Sequence, residues 1–276
     1  MYNLQGKVAL VTGAGGERGL GRTIANRLAR EGADIVVNDV AARPYSETEW
    51  GGLEAVVAEI AAQGRRAWGA VANVAEADQV QDMIDQTIKR FGRLDILVNN
   101  AGSRPGPDRV PIVELTEAAW DQVQSTNAKG TFLCGQAAAR ALIAQGEGGR
   151  IINISSTAGK QGYPRYGAYC ASKFAVIGFT QVLAQELAPH QITVNAVCPS
   201  LLDTERALHI ASAVAAPDVS ATDQHAQMLQ EAAALSPLGR MADTTDIARM
   251  VAFLASGEAD YLTGLAVSVT GGSQMM

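Results

Sequence analysis

The 276-residue chain is 47% hydrophobic and 18% charged, a composition that supports a packed core and excludes a disordered chain. Its 22 Lys and Arg against 28 Asp and Glu leave a net charge of -6, which argues against nucleic acid as a partner, and no apolar run approaches the ~18–20 residues of a membrane span. Three scattered cysteines (Cys134, Cys170, Cys198) form neither a disulfide framework nor a zinc site; with no recognisable leader before the first strand pattern, they suggest a soluble, cytoplasmic protein.

In chain order, Val8–Val11 predicts a short buried strand. Residues 24–30 follow as a helix, with Ile24, Ala25 and Leu28 on one face. Strand 34–38 leads to helix 52–62, where Leu53, Val56, Val57 and Ile60 have core spacing. Strand Ala67–Val71 precedes helix Ala77–Phe91, whose apolar face is Val80, Ile84, Ile88 and Phe91. Strand 94–98 is followed by a long helical region over 117–145, with a bend expected near Asn127. Strand 150–154 then leads to helix 166–187, which Pro189 stops. Strand 192–197, helix 243–255 and strand Ala266–Val269 complete the series.

The strands are apolar throughout rather than alternating, as buried parallel strands are. Strand–helix alternation at this spacing predicts right-handed βαβ units and one doubly wound α/β domain spanning residues 1–276. Two segments exceed tight connections. Residues 41–51 contain Arg43-Pro44-Tyr45, and the Ala-rich stretch 205–240 is interrupted by Pro217 and Pro237. The second is the expected substrate lid.

Thr12-Gly13-Ala14-Gly15-Gly16-Glu17-Arg18-Gly19-Leu20-Gly21 follows the first strand and opens the first helix. Glycines allow a sharp turn and close approach to phosphates, and a helix N-terminus offers free N–H groups to a diphosphate. Asp39 ends the second strand 18 residues after Gly21, where a carboxylate can accept hydrogen bonds from an adenosine ribose.

Tyr169 and Lys173 lie four residues apart, on one helix face. A neighbouring ammonium favours the phenolate, so this tyrosine can move a proton to or from a substrate oxygen. Tyr163 precedes Pro164 and Tyr166 is seven residues from Lys173, so neither has that partner. Ser156, thirteen residues before Tyr169, follows a strand end and faces the ligand crevice, with Ser155 turned the opposite way. Asn127 sits within a helix, where its amide can disturb the hydrogen-bond ladder.

Together these residues resemble a short-chain dehydrogenase/reductase over nearly all of residues 6–272. The resemblance implies a Rossmann-like sheet of seven strands in the order 3-2-1-4-5-6-7. It also implies an Asn127–Ser156–Tyr169–Lys173 tetrad. Tyr169 would be the general acid/base and Ser156 would polarise the substrate oxygen. Lys173 would hold the nicotinamide ribose and lower the tyrosine pKa, and Asn127 would anchor a water. Cofactor contacts carry over to Gly13, Arg18, Gly19, Leu20 and Gly21 in the loop, Asp39, and Asn73-Val74 near the adenine. Further contacts fall at Asn100, Ala101 and Gly102 along the backbone, at Tyr169 and Lys173, and at Leu202 and Thr204 around the carboxamide.

The chain departs from the family pattern in three places. Five residues rather than three separate Thr12-Gly13 from Gly19-Leu20-Gly21, Ser200 replaces a glycine, and Thr270 stands where an aspartate is common. Asp39 disfavours a 2′-phosphate whereas Arg18 could attract one; NAD is the expected cofactor and NADP the alternative. The implied activity is NAD(H)-dependent interconversion of a secondary alcohol and a ketone in a homo-oligomer, a tetramer or dimer. The alternatives are an NADPH-dependent 3-oxoacyl thioester reductase and a non-catalytic nucleotide sensor, the latter expected to lack Tyr or Lys of the tetrad.

Other residues read as structural. The three His residues (His190, His209, His225) lack ligand spacing, Cys170 points away from the site, and Trp50, Trp68 and Trp120 read as packing. Arg104, Asp108 and Arg109 follow the Asn-Asn-Ala-Gly strand end on the ligand side; they read as solvated loop charges, with recognition of a polar substrate as the alternative.

Overall fold

A computed structural model describes residues 2–44, 49–216 and 218–275. Tyr45 in the first insertion and Pro217 in the second lie outside the described residues. The strands are β1 (Val8–Val11), β2 (Asp34–Asp39), β3 (Ala67–Val71), β4 (Ile96–Asn99), β5 (Gly149–Ile154), β6 (Ile192–Pro199) and β7 (Ala266–Val269). They form one parallel sheet in the order β3-β2-β1-β4-β5-β6-β7. The helices are α1 (Leu20–Arg30), α2 (Leu53–Ala62), α3 (Ala77–Phe91), α4 (Glu117–Gln124), α5 (Gly130–Gln145), α6 (Gly167–Leu187), α7 (Glu205–Val214), α8 (Ala221–Ala234) and α9 (Thr244–Ala255).

Alternation along each buried strand divides the core into two layers. Ala9, Val11, Ile35 and Val37 pack with Ile24 and Leu28 of α1, Ile60 of α2 and Ile247 of α9. Leu10, Val36, Leu97 and Ile151 pack on the other face with Ile84 of α3, Leu142 of α5 and Leu187 of α6. A one-residue slip would exchange these sets, and each large aliphatic side chain exposed by it would forfeit about 1.5–3 kcal/mol. The observed pairing, Val8 opposite Asp34 and Ala9 opposite Ile96, is therefore strongly specified. Strand order reverses between β1 and β4, which opens a crevice beyond their C-terminal ends, where ligands bind in doubly wound sheets.

The predicted long helix over 117–145 is interrupted. Ser125–Lys129 forms a π-turn between α4 and α5, with Asn127 at its buried centre. The segment 205–240 contains α7 and α8; α7 buries Ala207, Ile210 and Ala211, whereas α8 buries no residue. Among the described residues no helix is long and apolar enough to cross a membrane.

Candidate active site

The first half of the crevice is built by the ends of β1, β2 and β4. Thr12 Oγ1 accepts hydrogen bonds from the backbone N–H groups of Asn100 and Ala101, both at 3.0 Å. The Asn100 amide in turn donates to the carbonyls of Thr12 and Gly13, both at 2.9 Å. These bonds pin β1 to β4 where the strand order reverses. Gly13 has φ +64°, and a Cβ there would lie 2.7 Å from Ala101 Cα. At Gly21 a Cβ would lie 2.4 Å from the Gly13 carbonyl oxygen. Gly19 caps α1 with no side-chain hydrogen bond, so the first-turn N–H groups keep no side-chain partner.

Asp39 Oδ2 accepts from the Gly15 backbone (3.0 Å) and Oδ1 from Val40 (2.8 Å), which sets the carboxylate beside the glycine loop. Burial raises its pKa against these two hydrogen bonds. Asn73 forms a turn just past β3, its Oδ1 accepting from Ala75 (3.0 Å), and buried Val74 faces Gly130, where a Cβ would be 2.7 Å from Val74 Cγ2. Gly102 lies exposed past the end of β4, and Leu20 begins α1. Leu202 pairs with Ala242, and buried Thr204 N-caps α7 without using its side chain. A glycine cradle, an uncapped helix start and a carboxylate at its rim fit a dinucleotide. Arg18 is turned elsewhere: its guanidinium pairs with Asp203 at 2.7 Å, and its backbone N–H donates to the Glu205 carboxylate.

The second half surrounds Tyr169 on α6. Lys173 is 5% exposed; its Nζ donates to the Ile154 carbonyl (2.7 Å) and lies 5.8 Å from the Tyr169 ring centre. The two serines diverge, as their positions after β5 predict. Ser155 Oγ donates to the Lys173 carbonyl (2.9 Å), whereas Ser156 Oγ accepts from Ala158 N–H (3.1 Å) and reaches the Tyr169 phenol. Burial opposes ionisation of Tyr169. The charges of Lys173 and Arg206, the Ser156 hydrogen bond and the charge of Arg109 outweigh it and lower the phenol pKa. Burial also lowers the pKa of Lys173; Tyr169 counters this and Arg206 reinforces it. A phenol placed in this way can release or retake a proton at a modest cost.

Asn127 braces this cluster. Its Oδ1 accepts from Ser103 N–H (2.8 Å) and its Nδ2 donates to Ser172 Oγ (2.9 Å), which donates to the Tyr169 carbonyl (2.7 Å). Its own carbonyl accepts from Thr131 Oγ1 at 2.7 Å.

Three features escape the sequence reading. Asp108 and Arg109 are not solvated loop charges: they are 3% and 0% exposed and paired with each other, with Arg109 against Tyr166 and Tyr169. Arg206 stacks over the Tyr169 ring at 5.0 Å and donates to the Ser103 carbonyl. Trp50 does more than pack: its Nε1 donates to the Gly15 carbonyl (2.8 Å), and Arg22 stacks on its ring. The place of Asp108 and Arg109 after the end of β4 is a sequence hint, taken up in the polar-substrate alternative; the position of Arg206, two residues past Thr204, is a second hint that the sequence reading leaves unused. Arg104 is exposed as expected, His190 is exposed, and Cys170 is buried within α6. Among the described residues no three His, Cys, Asp or Glu side chains converge as a metal site.

The short chain dehydrogenase family model matches residues 7–215. The chain is 42% identical to a 3-oxoacyl-acyl-carrier-protein reductase of Staphylococcus aureus over 269 residues, covering 98% of each. It is 38% identical to a sorbitol dehydrogenase of Cereibacter sphaeroides over 272 residues, covering 99% of each. The structure of carveol dehydrogenase from Mycobacterium avium in complex with NAD superposes with a TM-score of 0.88 at 31% identity, covering 99% of each chain. Fold, site and comparisons therefore agree that the chain belongs to the short-chain dehydrogenase family. It is an NAD(P)-dependent oxidoreductase of the alcohol dehydrogenase/ketone reductase type, acting on CH–OH and C=O groups.

Proposed function

We propose that this enzyme interconverts a secondary alcohol and a ketone with NAD(H), using Tyr169 as general acid/base. The observation that carries this reading is the Tyr169 phenol, its pKa lowered against burial by Lys173, Arg206, Ser156 and Arg109. The nicotinamide, when bound, supplies or accepts the hydride at C4. Tyr169 moves the proton at the substrate oxygen. Ser156 orients that oxygen through its hydroxyl, and Lys173 keeps the phenol ionisable. Asn127 positions α6 through Ser172 and holds the Ser103 loop, a bracing role that supplements the water-anchoring one expected of it. Residues 205–240 act as the substrate lid, with His225 of α8 held 3.2 Å from Asp203.

Asp39 favours NAD over NADP. A carboxylate and a 2′-phosphate ~4 Å apart repel by about 4 kcal/mol at an effective dielectric of ~20. The Asp39 carboxylate, fixed beside the glycine loop by two backbone N–H groups, is the decisive charge, while Arg18 pairs with Asp203. The alternative, an NADPH-dependent 3-oxoacyl thioester reductase, draws support from the 42%-identical reductase.

Fluorescence titration with NADH and NADPH separates the two. The NAD reading expects NADH to bind at least about tenfold tighter, after which an NAD-coupled screen of secondary alcohols identifies substrates. Tighter NADPH binding would overturn it and direct the screen to 3-oxoacyl thioesters. The same titrations run by light scattering, alone and with cofactor, would report whether the enzyme assembles as the expected dimer or tetramer.

A further inference from the structure

The strongest unexplained feature is a pair of arginines against the Tyr169 ring. The Arg109 guanidinium carbon lies 4.9 Å from the Tyr169 ring centre and that of Arg206 lies 5.0 Å from it. They come from the loop after β4 and from the first turn of α7, nearly a hundred residues apart in sequence. With Lys173 they place three cations around one phenol, against the single carboxylate of Asp108. Burial lowers the Arg109 pKa, and repulsion from Arg206 adds to that while Asp108 opposes it. Holding two guanidinium groups this close, with the Asp108 carboxylate paired to Arg109 alone, opposes folding. Such an arrangement persists where function needs it.

The free donors of Arg109 indicate the shape of that anion. Arg22 grips Glu59 through Nε (2.9 Å) and Nη2 (2.5 Å), and Arg93 grips Asp95 through Nε (2.7 Å) and Nη2 (2.6 Å). In both pairs the side edge of the guanidinium holds the two oxygens of a carboxylate. In Arg109, Nη1 is taken by Asp108, while Nε and Nη2 are buried with no hydrogen-bond partner among the described residues. Tyr166 lies against the same guanidinium; burial raises its pKa, while the charge and hydrogen bonding of Arg109 pull it down. Arg206 repeats the pattern: Nη1 holds the Ser103 carbonyl and Nη2 is buried without a partner.

We propose that Arg109 and Arg206 form a carboxylate-recognition site, so that the natural substrate is a hydroxy or keto acid whose carboxylate binds beside its reacting carbon. Arg109 supplies the two-pronged edge and Arg206 a third donor from the lid. Arg165 ties the Arg109 loop to the end of α7, donating to the Arg109 carbonyl (3.1 Å) and to the Val214 carbonyl (3.4 Å). The site thus lies where the loop after β4 meets α7, beside Tyr169. This inference rests on the proposed function and narrows it from secondary alcohols to acids.

The test is a binding measurement on the full-length enzyme saturated with NADH. Acetate, malonate, succinate, glutarate and benzoate are titrated by calorimetry, each beside its neutral amide. At least one acid is expected to bind about tenfold or more tighter than its amide, in keeping with a charge-assisted bidentate pair. Arg206→Gln and Arg109→Gln should each erase that preference while NADH affinity stays within about threefold of the parent. If the wholly buried Arg109 does not tolerate replacement, the half-buried Arg206 carries the test. Equal binding of every acid and its amide overturns the inference and leaves the proposed function standing. A tenfold loss of NADH affinity in Arg206→Gln also overturns it, by assigning the guanidinium to the cofactor diphosphate. Failure of the parent enzyme to bind NADH or NADPH is a different result, which removes the proposed function and this inference with it.

Discussion

The two halves of the crevice treat charge in opposite ways. On the nucleotide side the charged groups are matched: Arg22 meets Glu59, Arg18 meets Asp203, and the Asp39 carboxylate takes two backbone N–H groups. On the substrate side Arg109 and Arg206 keep buried donors unmatched around Tyr169. A ligand held by the backbone, as proposed for the first half, leaves the side chains there free to be satisfied within the protein. A ligand recognised by side chains, as proposed for the second, leaves them short of partners until it arrives.

The contrast breaks most sharply at Tyr169. Tyr169→Phe removes the proposed proton carrier and leaves the glycine loop, Asp39 and Asn100 untouched. Turnover should fall by about a thousandfold or more, with NADH affinity within about threefold of the parent. Steady-state rates and a fluorescence titration on one preparation check both halves at once. Substantial residual turnover would mean that another group carries the proton.

The next effect belongs to the nucleotide side. Asp39→Ala removes the charge that opposes a 2′-phosphate, and the NADH-to-NADPH affinity ratio should shift toward NADPH by about tenfold or more. The substitution also frees the Gly15 and Val40 N–H groups, so affinity for NADH itself should fall. An unchanged ratio would place the ribose away from Asp39.

A smaller effect ties the unmatched charges to the chemistry. Oxidation needs the phenolate, so its rate rises with pH until Tyr169 is ionised. The positive charge of Arg206 contributes to the lowered phenol pKa. Arg206→Gln removes that contribution and raises the pKa, moving the rising limb to higher pH. Oxidation by the variant should be roughly three- to tenfold slower near neutrality, and the deficit should close in alkaline buffer. A kcat deficit at saturating substrate that persists at all pH values would mean that Arg206 does not act through the phenol pKa.

The same division decides what was legible in the sequence. Strands β1 to β7 follow from uninterrupted apolar runs, since a parallel strand covered on both faces has no polar side to disguise it. The glycine loop and the Tyr169–Lys173 spacing are local patterns, set by turn sterics and helix pitch. Arg109 could not be read in that way. A charged residue after Gly106-Pro107 in a loop looks solvated, and only tertiary packing against Tyr166 and Tyr169 shows it to be buried. The π-turn at Asn127 was foreseen only as a bend, because its cause is distant: Ser103 and Ser172 draw the amide inward. Backbone sites repeat as motifs, whereas side-chain sites assembled across the sheet do not.

Arg18 tests the matched half with the smallest expected change. In sequence it sits beside Gly19 and could meet a 2′-phosphate; in the fold its guanidinium turns to Asp203, with side chains 58% and 43% exposed. An exposed pair of this kind is worth about 0–1 kcal/mol, too little to hold the arginine against a strongly attracting phosphate. The outcome therefore turns on Asp39, whose carboxylate keeps such a phosphate from the rim. Arg18→Ala in the otherwise intact enzyme should change NADH affinity by less than about threefold and barely alter an NADPH affinity that is already weak. Arg18→Ala combined with Asp39→Ala is more informative. With the carboxylate gone, Arg18 becomes free to swing from Asp203 toward the 2′-phosphate, and the gain in NADPH binding seen in Asp39→Ala should shrink. If the double variant gains as much as the single one, Arg18 stays with Asp203 whichever cofactor is bound, and removal of Asp39 alone accounts for the gain.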